Sequence, residues 1–221
     1  MNIPAELLYG PLYWLAHLGY LLLMGWALWS APWQMIRSSE NLNIFLATTV
    51  GVMFLWTMQA GISPGMVFHI LAATLLMLMF GWQFALFSLS LVLLGQTLYG
   101  NIDPMAFSLN ALLMGALPVL FSFWVFRLSL RFLPKNFFIY TLFNAYFCGA
   151  LSMALTVAAG SALLLWGSDY TLDDLSRRFF PFVPLMIFAE GFFNGMLATA
   201  LVLFRPEWIG SFDDNKYLKG K

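Results

Sequence analysis

Long apolar runs separated by short polar punctuation dominate this chain, at about 11–30, 43–61, 64–80, 82–99, 106–130, 137–166 and 179–204. A helix needs roughly 20 apolar residues to cross the hydrocarbon of a bilayer, so the pattern predicts seven transmembrane helices. Only Gly81-Trp82-Gln83 separates the third run from the fourth. That spacing fits a tight hairpin or a single kinked helix. No repeat of fixed period and no low-complexity linker interrupts the pattern, so residues 1–221 form a single integral membrane domain, an all-α polytopic bundle.

Composition agrees. Of 221 residues 62% are hydrophobic and 9% are charged, where a soluble domain carries nearer a quarter charged. Disorder is excluded on the same ground. Ten basic side chains balance ten acidic ones, which argues against a basic surface for nucleic acid. The start of the chain holds Glu6 and no early Lys or Arg, unlike a secretory signal, so the first run reads as a retained helix.

The charges are unevenly placed. With seven alternating helices, Arg37, Arg127, Arg131, Lys135, Arg205, Lys216, Lys219 and Lys221 fall on one side, and only Arg177 and Arg178 on the other. Lys and Arg are retained on the cytoplasmic face, so the N-terminus is expected outside and the C-terminus in the cytoplasm. The N-terminal segment, the turn at residues 61–65 and the loop around Asp103 then share the outer face of a multi-pass protein of the inner, or plasma, membrane.

Polar side chains within the apolar runs are few: His17, Gln59, His69, Gln96, Asn110, Asn144, Glu190 and Asn194. A charged group at the centre of a span costs roughly 3 kcal/mol, so each needs a reason. Glu190 and Asn194 are four apart and share a helix face, beside a Gly191-x-x-x-Gly195 pair that permits close helix approach. They read as packing groups or as part of a site. His69 follows Pro64-Gly65, where proline suits the first turn of a helix, and its imidazole is a candidate metal ligand. His17 has Tyr13 and Tyr20 at helical spacing as hydrogen-bond partners. Pro118 marks a kink in the fifth run.

Thirteen methionines admit a copper(I) reading, because thioethers suit that soft ion, although methionine is also an adaptable apolar filler. Cys148 is the only cysteine, so there is neither a disulfide nor a paired-thiol motif. Nucleophile-elbow, zinc-protease, phosphate-loop and dinucleotide fingerprints are all missing, and no enzymatic activity is expected. A membrane enzyme using Glu190 and His17 as acid and base is the weakest alternative.

Residues 61–120 resemble the central block of the CbiM/NikM family, substrate-capture membrane subunits of energy-coupling-factor transporters for cobalt and nickel. The residues that carry the likeness are Pro64, Gly65, His69, Ala72, Ala73, Gly81-Trp82, Gln96, Gly100, Asn110 and Met114-Gly115. The segment FAEGFFNGMLATALVLFRPEWI at 188–209 is similar to the closing helix of that family, and MNIPAELL to its opening. The resemblance implies a metal held by the N-terminal amine, by the second residue and by a histidine at the third helix. Those positions are Met1, Asn2 and His69 here. Gln59, Asn110, Glu190 and Asn194 would surround or pack the site. Asn2 stands where the family has His, Leu113 where it has Asn, and Val183 where His is common.

The leading expectation is capture of a divalent transition-metal ion, nickel or cobalt and less readily copper, as substrate, with no permanently bound cofactor. The chain has no nucleotide-binding motif, and the resemblance implies ATPase subunits and a coupling transmembrane subunit as partners. The rival expectations are a non-transporting assembly or scaffold protein on the same fold, and a copper-handling permease.

Overall fold

The computed structural model describes residues 2–7, 11–213 and 217. Helices α1 (Pro11–Ser30) and α2 (Ser39–Thr57) are followed by a two-stranded antiparallel hairpin, β1 (Ala60–Ser63) and β2 (Met66–Phe68). Then come α3 (Ala73–Leu98), α4 (Pro104–Phe132), α5 (Ile139–Gly167), the short α6 (Leu172–Arg178) and α7 (Phe180–Phe204). Five of these, α1, α3, α4, α5 and α7, are long and apolar enough to cross a membrane. In α2 the first turns carry Glu40, Asn41 and Asn43, which lowers its apolar character. Large side chains such as Trp14, Leu15, Leu22, Trp29, Trp124 and Leu203 lie exposed along the helices, as the lipid-facing surface of a bundle requires.

α3 is not one straight span. Gly81 has φ 80° and ψ 168°, a conformation that only glycine adopts freely. Contacts along α2 show the direction on either side of it. Trp56 donates to the Leu71 carbonyl and Phe45 packs on Phe80; beyond Gly81, Phe45 packs on Phe84, Thr49 meets Ser88, and the Met53 carbonyl accepts from Gln96. The two limbs therefore run in opposite senses, and Gly81 is the hairpin that the sequence left open against a kink.

The limb at 73–80 is only eight residues, about 12 Å of helix, and nearly all of it is buried. Backbone groups away from water must be satisfied internally, and α7 with its tail supplies the partners at both ends. At the start, Glu190 accepts from the Leu71 and Ala72 N–H groups at 2.7 and 2.9 Å, and Asn194 from Leu75 N–H at 2.7 Å. At the finish, the Gly210 and Ser211 N–H groups donate to the Met79 and Leu78 carbonyls.

Two expectations are corrected. The run at 64–80 is not a helix from its start: Pro64-Gly65 forms the turn between β1 and β2, with Gly65 at φ 83°, and helix begins only at Ala73, where the Glu190 side chain caps it. The second helix begins at Ser39, four residues before its expected start, because Ser38 accepts from Asn41 N–H as an N-cap. α6 was not anticipated, although its capping box between Thr171 and Asp174 is legible in the sequence.

Pro118 has its expected local effect in a particular form. Lacking an N–H, it cannot continue the helical ladder, and residues Ala111–Ala116 just before it open into a wide π turn. Such turns recur at functional sites. Where α5 meets α7, a Cβ on Gly191 would lie 2.9 Å from the Tyr146 carbonyl oxygen, and one on Gly195 2.9 Å from Tyr146 Cβ. The small-residue pair does admit a close helix approach.

Candidate metal site

The N-terminal strap lies across the beginning of α4. Asn110, fully buried, accepts from Ile3 N–H at 3.0 Å through Oδ1 and donates through Nδ2 to the Ile3 carbonyl at 3.0 Å. The same Nδ2 donates to Asn2 Oδ1 at 3.1 Å, while Asn2 Nδ2 donates to the Asn101 carbonyl at 3.0 Å. Asn101 in turn donates to Gln96 Oε1 at 2.7 Å. Tyr13 fixes the next residue by donating to the Pro4 carbonyl. A strap of a few residues, unable to hold itself in place, is thus pinned by side chains from α1, α3 and α4.

One turn along α4 from Asn110, Met114 meets the other element of the site. His69 follows β2 and lies outside the helical spans, with Nε2 3.3 Å from Met114 Sδ and Nδ1 3.4 Å from the Ile70 carbonyl oxygen. Its ring packs on Trp56 with centroids 4.4 Å apart. Burial pushes its pKa down to about 3, so the imidazole is neutral and able to ligate. On its open side lies a cavity of about 320 Å³, lined among others by Met58, Phe68, Met153 and Met186.

Asn110 therefore joins the strap to the face of α4 that carries His69's neighbour. Met1 lies outside the described residues. Asn2 has both ends of its amide engaged. Gln59 is exposed between α2 and β1 and takes no part in the buried network. Glu190 and Asn194 sit behind His69, where they cap the 73–80 limb and hold Ala72 at φ 58°. A non-glycine residue there is held against a cost of roughly 1–2 kcal/mol. Their role is structural support of the chain that follows His69.

His17 corrects a second expectation: its Nδ1 pairs with Ser108 Oγ at 2.7 Å, while Tyr20 bonds Ser90 and Tyr13 bonds Pro4. Asn144, in the π turn that opens α5, has neither amide atom paired among the described residues. The sequence reading missed Asn101 and the contact between His69 and Met114. The four-residue spacing from Asn110 to Met114 was the signal available for the latter. Among the described residues no three His, Cys, Asp or Glu side chains group together as a metal centre, so any binding draws on other donors.

A family model described as the cobalt uptake substrate-specific transmembrane region, CbiM, matches residues 2–208. The chain belongs to the CbiM family. CbiM proteins are membrane components of metal uptake and not enzymes, and the multi-pass helical bundle seen here fits that role. Two solved structures share the fold. One is described as a truncated transition metal transporter, 18% identical, with a TM-score of 0.69 over 94% of this chain and 99% of that one. The other is described as a transition metal transporter, 18% identical, with a TM-score of 0.70 over 94% and 93% of the two chains. Compared by sequence with curated proteins, this CbiM-family chain matches none.

Proposed function

We propose that this chain is the substrate-capture subunit of an energy-coupling-factor type transporter, taking up nickel or cobalt as its cargo. The observation that carries this is the Asn110 clamp. It pins the N-terminal strap to the helix face on which, one turn away, Met114 touches the buried neutral His69. In this reading the Met1 amine and His69 are the ligands and Asn110 places the strap. The strap lies on the outer face, and the basic end of the bundle, with Arg37, Arg131 and Arg205, faces the cytoplasm. ATPase subunits and a coupling membrane subunit dock there and supply the energy that this chain has no motif to obtain.

The test is uptake of nickel and cobalt by cells with this chain, without it, and with His69→Ala. Uptake that requires the chain and falls at least tenfold in the variant is the expected result. Uptake indifferent to His69 would move the function to an assembly or scaffold role on the same fold.

A further inference from the structure

We infer that His69 and Met114 form a soft-ion site, selective for a monovalent thiophilic cation of the copper(I) or silver(I) class and independent of the N-terminal amine. This rests on the proposed reading in making His69 a cargo-binding residue, and goes beyond it in the class of ion and in the donors used.

The geometry is that of two donors facing one vacancy. Nε2 and Sδ are 3.3 Å apart, the separation of a nitrogen and a sulfur bound to a first-row ion at about 2.0 and 2.3 Å with an angle near 100° between them. Of the two tautomers, the one with the proton on Nδ1 directs it at the Ile70 carbonyl oxygen. The other would direct it at a thioether, a much weaker acceptor. The first therefore prevails and leaves a lone pair on Nε2 opposite the sulfur. Met114 is held in the π turn that precedes Pro118 and has no exposed surface.

The surroundings select charge and softness. His69 opens on the 320 Å³ cavity, where Met58, Met153 and Met186 supply further thioethers, and among the described residues no carboxylate or thiolate lines it. Neutral imidazole and thioether donors in an apolar lining leave a divalent charge uncompensated, which is costly. A singly charged soft ion bound by the same donors is favoured. Asn2, which might have completed a harder donor set, has its amide committed to Asn101 and Asn110.

The experiment uses the full chain in detergent, with copper(I) kept reduced by ascorbate and competed by bicinchoninate. One copper(I) per chain is expected, weakened at least tenfold by Met114→Leu. An X-ray absorption spectrum of the wild-type complex should show sulfur at about 2.3 Å, a readout that stands even if the variant folds poorly. Unchanged affinity in a folded Met114→Leu protein, or a spectrum with nitrogen and oxygen neighbours only, would overturn the inference. A two-residue extension of the N-terminus separates the two proposals: it should abolish nickel and cobalt uptake and leave copper(I) binding in place. Loss of copper(I) binding on extension would show that the amine, and not the thioether, completes the site.

Discussion

Asn110 and Ile3 exchange a reciprocal pair of hydrogen bonds, each 3.0 Å long, between a side-chain amide and a backbone peptide unit. The amide imitates the edge of a β-strand, so a strap with no neighbouring strand is still paired. Because the amide sits at zero exposure, no water can replace it.

Asn110→Leu conserves the volume and removes every one of these bonds, leaving the Ile3 peptide buried and unpaired. Three lost hydrogen bonds and an orphaned donor amount to about 2–4 kcal/mol. Metal uptake should collapse, and the melting temperature in detergent should fall. Asn110→Asp keeps the acceptor for Ile3 N–H and loses both donations, and should be intermediate. A leucine variant with wild-type uptake would remove the strap from the mechanism.

Glu190→Gln keeps one oxygen acceptor for the N–H groups of Leu71 and Ala72 and turns an amide toward the other. Leaving one buried donor without a partner costs about 1–3 kcal/mol, measurable as a lowered unfolding midpoint. Glu190→Ala strips both and should lose folded protein altogether. Equal stability of all three proteins would show that the 73–80 limb does not need its cap.

Gly81→Ala tests the backbone alone. The nearest atom to an added Cβ is Gln83 Oε1 at 3.8 Å, so no clash is introduced. The positive φ still disfavours any side chain, by about 1–3 kcal/mol. The yield of monodisperse protein and its melting temperature should drop. If they do not, the hairpin is less constrained than its dihedral angles indicate.

Gly195→Ala should be far more damaging than Gly25→Ala. The first places a Cβ 2.9 Å from Tyr146 and forces α5 from α7, whereas the second meets nothing within 4 Å and gains helix propensity of up to about 1 kcal/mol. Thermal unfolding of the two variants side by side decides it, and equal melting temperatures would contradict the close packing at Tyr146.

The long runs were legible because hydrocarbon demands length and apolarity together: 11–30 and 179–204 match α1 and α7 almost to the residue. The stretch at 64–80 misled for a physical reason. A buried irregular segment is as apolar as a helix, and what decides between them is where its backbone finds partners. Those partners are Glu190, Asn194, Gly210 and Ser211, more than a hundred residues away. The site divided in the same way. His69, Asn110 and Glu190 stand out as polar residues in apolar runs, but Met114 looks like any core methionine until His69 is seen beside it.

The limb at 73–80 is too short to be inserted into a bilayer as a span of its own, and both of its ends are completed by α7 and the residues just after it. During synthesis it waits, its first N–H groups and last carbonyls unpaired, until residues 190–211 leave the ribosome. The N-terminal strap and His69 therefore belong to a protein whose binding face is finished from its opposite end. Chains that stop before Gly210 would reach the membrane with their spans in place and the 73–80 limb, which follows His69, unsecured.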